Sequence, residues 1–315
     1  MPQKPNISSQ DTTQFLQEKL NTEISALTLL SGGEWSQAYS FIHDGKKYVL
    51  RWCHSSESFE KDAFAGTFNT QDLPVPKVID SGKHFDTHFA ISEFVQGSFL
   101  EKLSADELDQ TLPAVLKMLD ALRTADLSQT TGYGAWDKNG KGSHASWQEY
   151  LLDVKKDSEQ SITHGWSANL TSSSFGTKMF DQLYAQFETL VEKCPESREL
   201  IHADLINCNV MISQTKISAV IDWQCSLYGD SLYDIAWFLY YSAWYPQFKE
   251  VNLREKLLSN FESNAQSVSH IKERLACYYL HIGLGSIAYN AFKQDWKAAE
   301  EAGKYTTKIV QSYIK

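Results

Sequence analysis

The chain has 315 residues, with 29 Lys and Arg against 39 Asp and Glu, for a net charge of −10. That field disfavours nucleic acid and anionic membrane surfaces and draws in cations, and no uninterrupted apolar run reaches membrane-spanning length. Cys53, Cys194, Cys208, Cys225 and Cys277 are scattered and contain no Cys-x-x-Cys pair, a pattern that suggests neither a disulfide framework nor a zinc site.

The first twenty residues are polar and hold no apolar signal core, so a cytoplasmic protein is expected. Ser31-Gly32-Gly33-Glu34-Trp35-Ser36 falls between two strand-like pieces, and its backbone around Ser31, Gly33 and Ser36 can approach phosphates. Ala38 to His43 alternates in polarity, Asp44-Gly45 is a turn signal and Lys46 to Trp52 is a second strand, together a β-hairpin. Arg51 closes that strand where a kinase fold carries Lys, and its planar guanidinium suits bidentate phosphate binding. Its acidic partner is expected on the following helix, predicted over Phe59 to Phe68, with Glu60 preferred to Glu57 and Asp62. Leu73-Pro74-Val75-Pro76 breaks that helix and leads into an extended run from Lys77 to Asp80. A strand is predicted over Thr87 to Val95. His84 and His88 flank a turn rather than share a helix face, so no metal site is expected there. The backbone from Ser92 to Phe94 is placed at a hinge that reads a purine base.

After Gly97 the pattern becomes helical. Ser104-Ala105-Asp106-Glu107 is a capping box opening a helix to about Thr124, which Pro113 is expected to divide or kink. Helical periodicity returns around Ser146 to Lys156, Phe180 to Lys193, Ser231 to Tyr241, Leu253 to Ala265, Ile271 to Phe292 and Asp295 to Tyr313. The polar stretches Lys138 to His144 and Ser167 to Ser174 read as surface loops. A β-rich part over 1–97 followed by a helical part over 98–315 makes an α+β, protein-kinase-like two-lobe fold the expected architecture.

The most informative stretch is His202-Ala203-Asp204, with Asn209 five residues after the Asp and Asp222 behind the apolar run Ile217 to Ile221. Each residue alone reads as a turn or a strand end. In this order and spacing they match the catalytic loop and metal-binding Asp of a kinase fold. Phosphoryl transfer needs an acceptor oxygen held in line and positive charge around the phosphates. Asp204 is the candidate base, and Asn209 and Asp222 supply hard oxygen ligands for Mg²⁺. His202 reads as structural, holding the loop by hydrogen bonds.

The sequence resembles the aminoglycoside phosphotransferases and their choline kinase-like relatives. The resemblance rests on His202-Ala203-Asp204, Asn209, Ile221-Asp222-Trp223, Gly229-Asp230-Ser231-Leu232-Tyr233-Asp234-Ile235-Ala236 and Leu73-Pro74-Val75-Pro76-Lys77-Val78. It extends over nearly the whole chain toward members acting on hygromycin-type aminocyclitols, through Tyr48-Val49-Leu50-Arg51, Ala125-Asp126-Leu127-Ser128-Gln129-Thr130 and Tyr228-Gly229-Asp230-Ser231. Those members also carry Arg in place of Lys. The resemblance implies ATP-dependent phosphorylation (with GTP as an alternative donor) of one hydroxyl of an aminocyclitol antibiotic such as hygromycin B. It assigns Asp204 as base and Asn209 and Asp222 to Mg²⁺. Asp230 and Asp234 carry over as motif positions read mainly as supports. The loop filler Leu205-Ile206-Asn207-Cys208 departs from the family pattern, and the second half of the helix from Ala236 to Trp244 differs from the hygromycin-type members at several aromatic positions.

A polycationic acceptor calls for carboxylates and aromatic planes. Trp136, Tyr241 and Trp244, with Asp234, are the candidates for the acceptor site of a monomeric enzyme. Two other readings stay open: a metabolic kinase acting on choline, a sugar or homoserine, and a nucleotide-binding module without catalysis.

Overall fold

A computed structural model describes residues 4–31, 33–265 and 267–314. Its N-terminal region is built on an antiparallel sheet. β1 (Ser25–Leu30), β2 (Ser36–His43), β3 (Lys46–Cys53), β4 (Val78–His84) and β5 (Thr87–Glu93) lie in the order β1-β2-β3-β5-β4. The expected hairpin is present, with Ser36 opposite Cys53 and His43 opposite Lys46. Inward side chains of β2, β3 and β5, including Tyr39, Phe41, Leu50, Trp52 and Phe89, form one core. α1 (Ser9–Leu20) closes it by setting Phe15 edge-on against Trp52 and Phe89. This helix was not anticipated. Its local signal is faint, and burial of Phe15 and Leu16 on the sheet supplies what propensity does not.

α2 (Glu57–Ala65) follows β3 and ends in a 3₁₀ turn, Gly66–Phe68, matching the predicted span to within a turn. Its inward face is Ser58, Phe59, Lys61, Asp62 and Ala65.

Beyond Gly97 the chain enters a helical region. β6 (Ser98–Phe99) leads through a 3₁₀ turn into α3 (Ala105–Arg123), whose capping box is fully formed. Pro113 lies inside α3 without dividing it. β7 (Tyr133–Trp136) and β8 (Gly142–His144) precede α4 (Trp147–Leu152), α5 (Trp166–Ser172) and α6 (Lys178–Glu188). Two expected surface loops are corrected here: 138–144 contributes β8, and 167–174 lies mostly in α5. α5 begins with Gly165 at φ +95°, and the Asp157 carboxylate accepts the N–H groups of Gly165 and Ser167. Trp166 and Leu170 are buried. A cap from outside the segment and an apolar anchor outweigh its polar composition.

β9 (Glu199–Ile201), β10 (Val210–Ser213), β11 (Lys216–Val220) and β12 (Leu227–Gly229) surround the catalytic loop. β10 pairs with β11 and β6, while β12 joins β9 to β7 and β8. These strands are too short for alternation to show in sequence. α7 (Leu232–Tyr241), α8 (Pro246–Glu250), α9 (Leu253–Asn264), α10 (Ile271–Lys293) and α11 (Trp296–Ile314) complete the chain. α10 is buried on nearly every face from Arg274 to Leu284, so it is the axis of this region. Gly283 lets α11 come close, since a Cβ there would meet Thr306 Oγ1 at 2.1 Å. Among the described residues no helix is long and apolar enough to cross a membrane.

Candidate active site

The loop between β9 and β10 is held from behind by α7. Asp234 Oδ2 accepts the His202 N–H at 2.9 Å and Oδ1 accepts the Ala203 N–H at 2.8 Å. Ala203 has φ +59°, a left-handed conformation that a residue with a Cβ adopts only when its surroundings enforce it. His202 is fully buried, places Nε2 3.0 Å from the Ile221 carbonyl oxygen and lies edge-on to Trp223. Burial lowers its pKa to about 4, so it is neutral. Leu205 and Ile206 are completely buried and anchor the loop in the core. The part of the loop filler that departs from the family pattern is therefore largely packing.

Asp204, between buried neighbours, is only partly buried itself. Its Oδ1 accepts from Asn207 Nδ2, and its Oδ2 accepts from Asn209 Nδ2 at 2.9 Å. Burial raises its pKa to about 8, with the charges of Asp222 and Glu101 adding to the effect and the two amide hydrogen bonds opposing it. Cys208 is exposed at φ +62°, and its N–H donates to Glu101 Oε1 at 2.8 Å. Glu101, which sequence reasoning passed over, is buried and pushed up to about 7 by that burial.

The β10–β11 hairpin brings Asn209 and Asp222 together. Val210 pairs with Val220, and the Ile221 N–H donates to the Asn209 carbonyl at 2.9 Å. Asp222 follows at φ +61°, which turns it off the strand line. The side-chain nitrogen of Asn209 is spent on Asp204, leaving its amide oxygen for a cation. Burial and the neighbouring Asp62 raise the Asp222 pKa, against the opposing charge of Arg51. Among the described residues no group of three or more His, Cys, Asp or Glu could hold a metal by itself. The pair Asn209 and Asp222 fits Mg²⁺, which takes one or two protein ligands and fills the rest of its shell with phosphate and water.

Arg51 does not pair with Glu60. Its guanidinium meets Asp62 Oδ2, and Asp62 Oδ1 accepts the Trp223 N–H at 2.9 Å. Glu60 lies on the outer side of α2, 3.8 Å from Lys138. The inward spacing of Phe59, Asp62 and Ala65 on α2 is the signal that favours Asp62. Lys61 was also missed. Its ammonium bonds the carbonyls of Gln224 at 2.6 Å and Ser226 at 3.1 Å, and sits 4.7 Å from the Trp136 ring centre. Burial lowers its pKa to about 8, against several nearby acidic groups. Asp62 and Lys61 together fasten α2 to the segment after Asp222.

On the nucleotide side, Ser31 and Gly33 are exposed and Ser36 opens β2. Gly32 lies outside the described residues. Gly33 has φ +70°, and a Cβ there would come within 2.7 Å of the Ser36 carbonyl oxygen. Ser92 is inside β5, opposite Val49 and Val78, and the Glu93 N–H donates to the Lys77 carbonyl. The connecting stretch therefore starts at Phe94, whose ring lies under the Lys47 ammonium at 3.9 Å.

Two acceptor expectations are corrected. Trp136 is 2% exposed, stacks on Tyr228 and packs against Phe64, so it is core. Asp234 is buried with its oxygens committed to His202 and Ala203. Asp230 is likewise a support, bonded to Arg274, Tyr278 and the Leu232 N–H. Tyr241 is half-buried and close enough to Asp204 to feel its charge. Trp244 is 54% exposed and packs on Tyr241 and Tyr305.

An antiparallel sheet ahead of a helical region, with Arg51 tied through Asp62 to the residue after Asp222 and Asn209 joining Asp204 to the strand that leads to Asp222, defines a phosphotransferase of the protein-kinase-like fold. The chain belongs to the phosphotransferase enzyme family, whose model matches residues 26–262. It is 32% identical to hygromycin-B 4-O-kinase of Escherichia coli over 288 residues, 90% of this chain and 80% of that protein. The crystal structure of aminoglycoside phosphotransferase APH(4)-Ia superposes with a TM-score of 0.85 at 30% identity, covering 97% of this chain and 99% of that one. A thermostable mutant of that enzyme in ternary complex with AMP-PNP and hygromycin B superposes with a TM-score of 0.82 at 30% identity, covering 95% and 98%.

Proposed function

We propose that the chain transfers the γ-phosphoryl group of ATP, with GTP as an alternative donor, to a hydroxyl of hygromycin B or a closely related aminocyclitol, and so confers resistance to it. The observation that carries this reading is the linkage of Asp204, Asn209 and Asp222 around the catalytic loop, with Arg51 tied through Asp62 to the same segment. Likeness along nearly the full length to an enzyme named for the hygromycin B hydroxyl it phosphorylates supports the substrate class.

In this reading 1–97 holds the nucleotide and 98–315 carries the catalytic loop and the acceptor. Asp204 orients the acceptor hydroxyl and takes its proton, and the amides of Asn207 and Asn209 hold both carboxylate oxygens for that task. Arg51, fixed by Asp62, binds phosphate oxygens. The backbone around Ser31, Gly33 and Ser36 lies over the phosphates, and Phe94 begins the stretch beside the base. Asn209 and Asp222 would hold Mg²⁺, which supplies positive charge to the phosphate oxygens. Tyr241 and Trp244 offer aromatic faces to the sugar rings, and the net charge of −10 favours a cationic acceptor. The protein acts as a cytoplasmic monomer.

Incubation with ATP, Mg²⁺ and a panel of aminoglycosides, choline and sugars, read by ADP release, tests this. Turnover with hygromycin B or a relative is expected. Turnover confined to choline or a sugar overturns the substrate, and nucleotide binding without turnover on any acceptor overturns the activity.

A further inference from the structure

The loop between β1 and β2 is bound to the C-terminal end of α10. Glu34 Oε1 lies 2.6 Å from Lys293 Nζ, and the Tyr289 hydroxyl donates to the other Glu34 carboxylate oxygen. One residue on, the Trp35 and Phe292 rings stack with centroids 6.4 Å apart and planes 23° from parallel. All three partners lie in the last turns of α10. Lys293 also sits 5.4 Å from the Tyr289 ring centre, so the two groups that hold Glu34 brace each other. The Glu34 and Lys293 side chains remain 39% and 34% exposed. Partial burial opposes the charged carboxylate, but the bonds from Lys293 and Tyr289 prevail and hold its pKa below the usual carboxylate range.

Other polar contacts of this loop are sparse among the described residues. Lys4 donates to the Gly33 carbonyl at 3.1 Å, and the Cys53 thiol donates to the Trp35 carbonyl at 3.4 Å. Gly33 lets the chain turn, but nothing in a glycine turn fixes its height above the cleft. α10 also packs on α7, the helix that ends in Tyr241. The helix that holds the loop therefore also backs the helix that carries Tyr241.

We propose that Glu34 is a positioning residue: through Lys293 and Tyr289, with the Trp35–Phe292 stack beside it, it latches the loop onto α10 and fixes the backbone N–H groups of 33–36 over the nucleotide phosphates. The proposal rests on the phosphate-binding reading of that loop given above. An ion pair placed only for solubility would not be joined by a tyrosine hydroxyl and an aromatic stack on one helix face. Because both charges are accessible, the latch weakens in high salt.

The test compares wild type, Glu34→Gln, Lys293→Glu and the double variant Glu34→Lys with Lys293→Glu. It measures hydrogen exchange of the 33–36 amides and the dissociation constant of a non-hydrolysable ATP analogue. Each single variant is expected to speed exchange in the loop and to weaken the analogue by about two- to fivefold, the range of an exposed ion pair. The charge-swapped double variant is expected to recover most of both. Unchanged exchange and affinity in Glu34→Gln, or no recovery on swapping, overturns the latch. If exchange and affinity follow expectation while wild type turns over no acceptor, the kinase reading fails and the latch stands.

Discussion

Asp62 ties Arg51 to the segment that carries Asp222: one carboxylate oxygen meets the guanidinium and the other accepts the Trp223 N–H. Both side chains of the ion pair are largely enclosed, at 19% and 8% exposure. Removing one partner of such a pair strands the other, at a cost of about 3–5 kcal/mol. Asp62→Ala is expected to lose stability on that scale and to weaken ATP binding, because Arg51 loses its anchor. Glu60→Gln is expected to change stability by no more than about 0.5 kcal/mol. Denaturant melts and ATP titrations of both variants check this, and equal effects would mean that the pairing does not fix Arg51.

Asp204→Asn keeps the shape of the side chain and removes the proton acceptor. Turnover is expected to fall by roughly 10²- to 10⁴-fold, the usual worth of general base catalysis, while ATP analogue affinity stays close to wild type. Asp222→Ala is expected to abolish the Mg²⁺ dependence of nucleotide binding. Steady-state rates and calorimetric titrations with and without Mg²⁺ separate the two roles. Normal turnover in Asp204→Asn would rule it out as the base.

Ala203 sits at φ +59° between His202 and Asp204. A left-handed backbone costs a residue with a Cβ about 1–2 kcal/mol, and glycine largely escapes that cost. Ala203→Gly is expected to raise stability by about 1 kcal/mol, visible as a higher melting temperature. Asp234→Ala works in the opposite direction, since it leaves the His202 and Ala203 N–H groups without their acceptor; each such loss costs about 1–3 kcal/mol. A lower melting temperature for Ala203→Gly would show that the Cβ is not strained there.

Two buried histidines make the fold sensitive to acid. Burial lowers His202 to about 4 and His281 to about 3. In the unfolded chain a histidine takes up its proton near pH 6.5. Their contribution is therefore complete above that pH and falls as pH drops toward the folded values, by at most about 1.4 kcal/mol per pH unit for each. Buried carboxyls raised by burial, such as Asp204 and Glu101, act in the opposite sense. The difference between wild type and His281→Gln isolates one histidine. Between pH 6.5 and 4.5 that difference is expected to shift in favour of the variant, and parallel stability curves would contradict it.

The sequence by itself determined the chemistry. His202, Asp204, Asn209 and Asp222 stand in an order and spacing that few arrangements other than a kinase loop require, and Arg51 lies on the strand that should carry the phosphate-binding cation. The hairpin, α2, α3, α4, α6, α7 and α9 to α11 were legible because turn residues, a capping box and apolar periodicity act over a few neighbours. Tertiary structure decided which side chains face the site. Glu60 and Asp62 are both acidic and two residues apart; spacing with Phe59 and Ala65 favours Asp62, and the packing of α2 against the Trp223 segment makes it the partner of Arg51. Trp136 and Asp234 suited an acceptor site by type, yet the strand pairing of β7 with β12 buries the first and the contact of α7 with the catalytic loop commits the second. Lys61, α5 and the Glu34–Lys293 contact depend on partners far away in the chain, and such long-range bonds leave no local pattern to read.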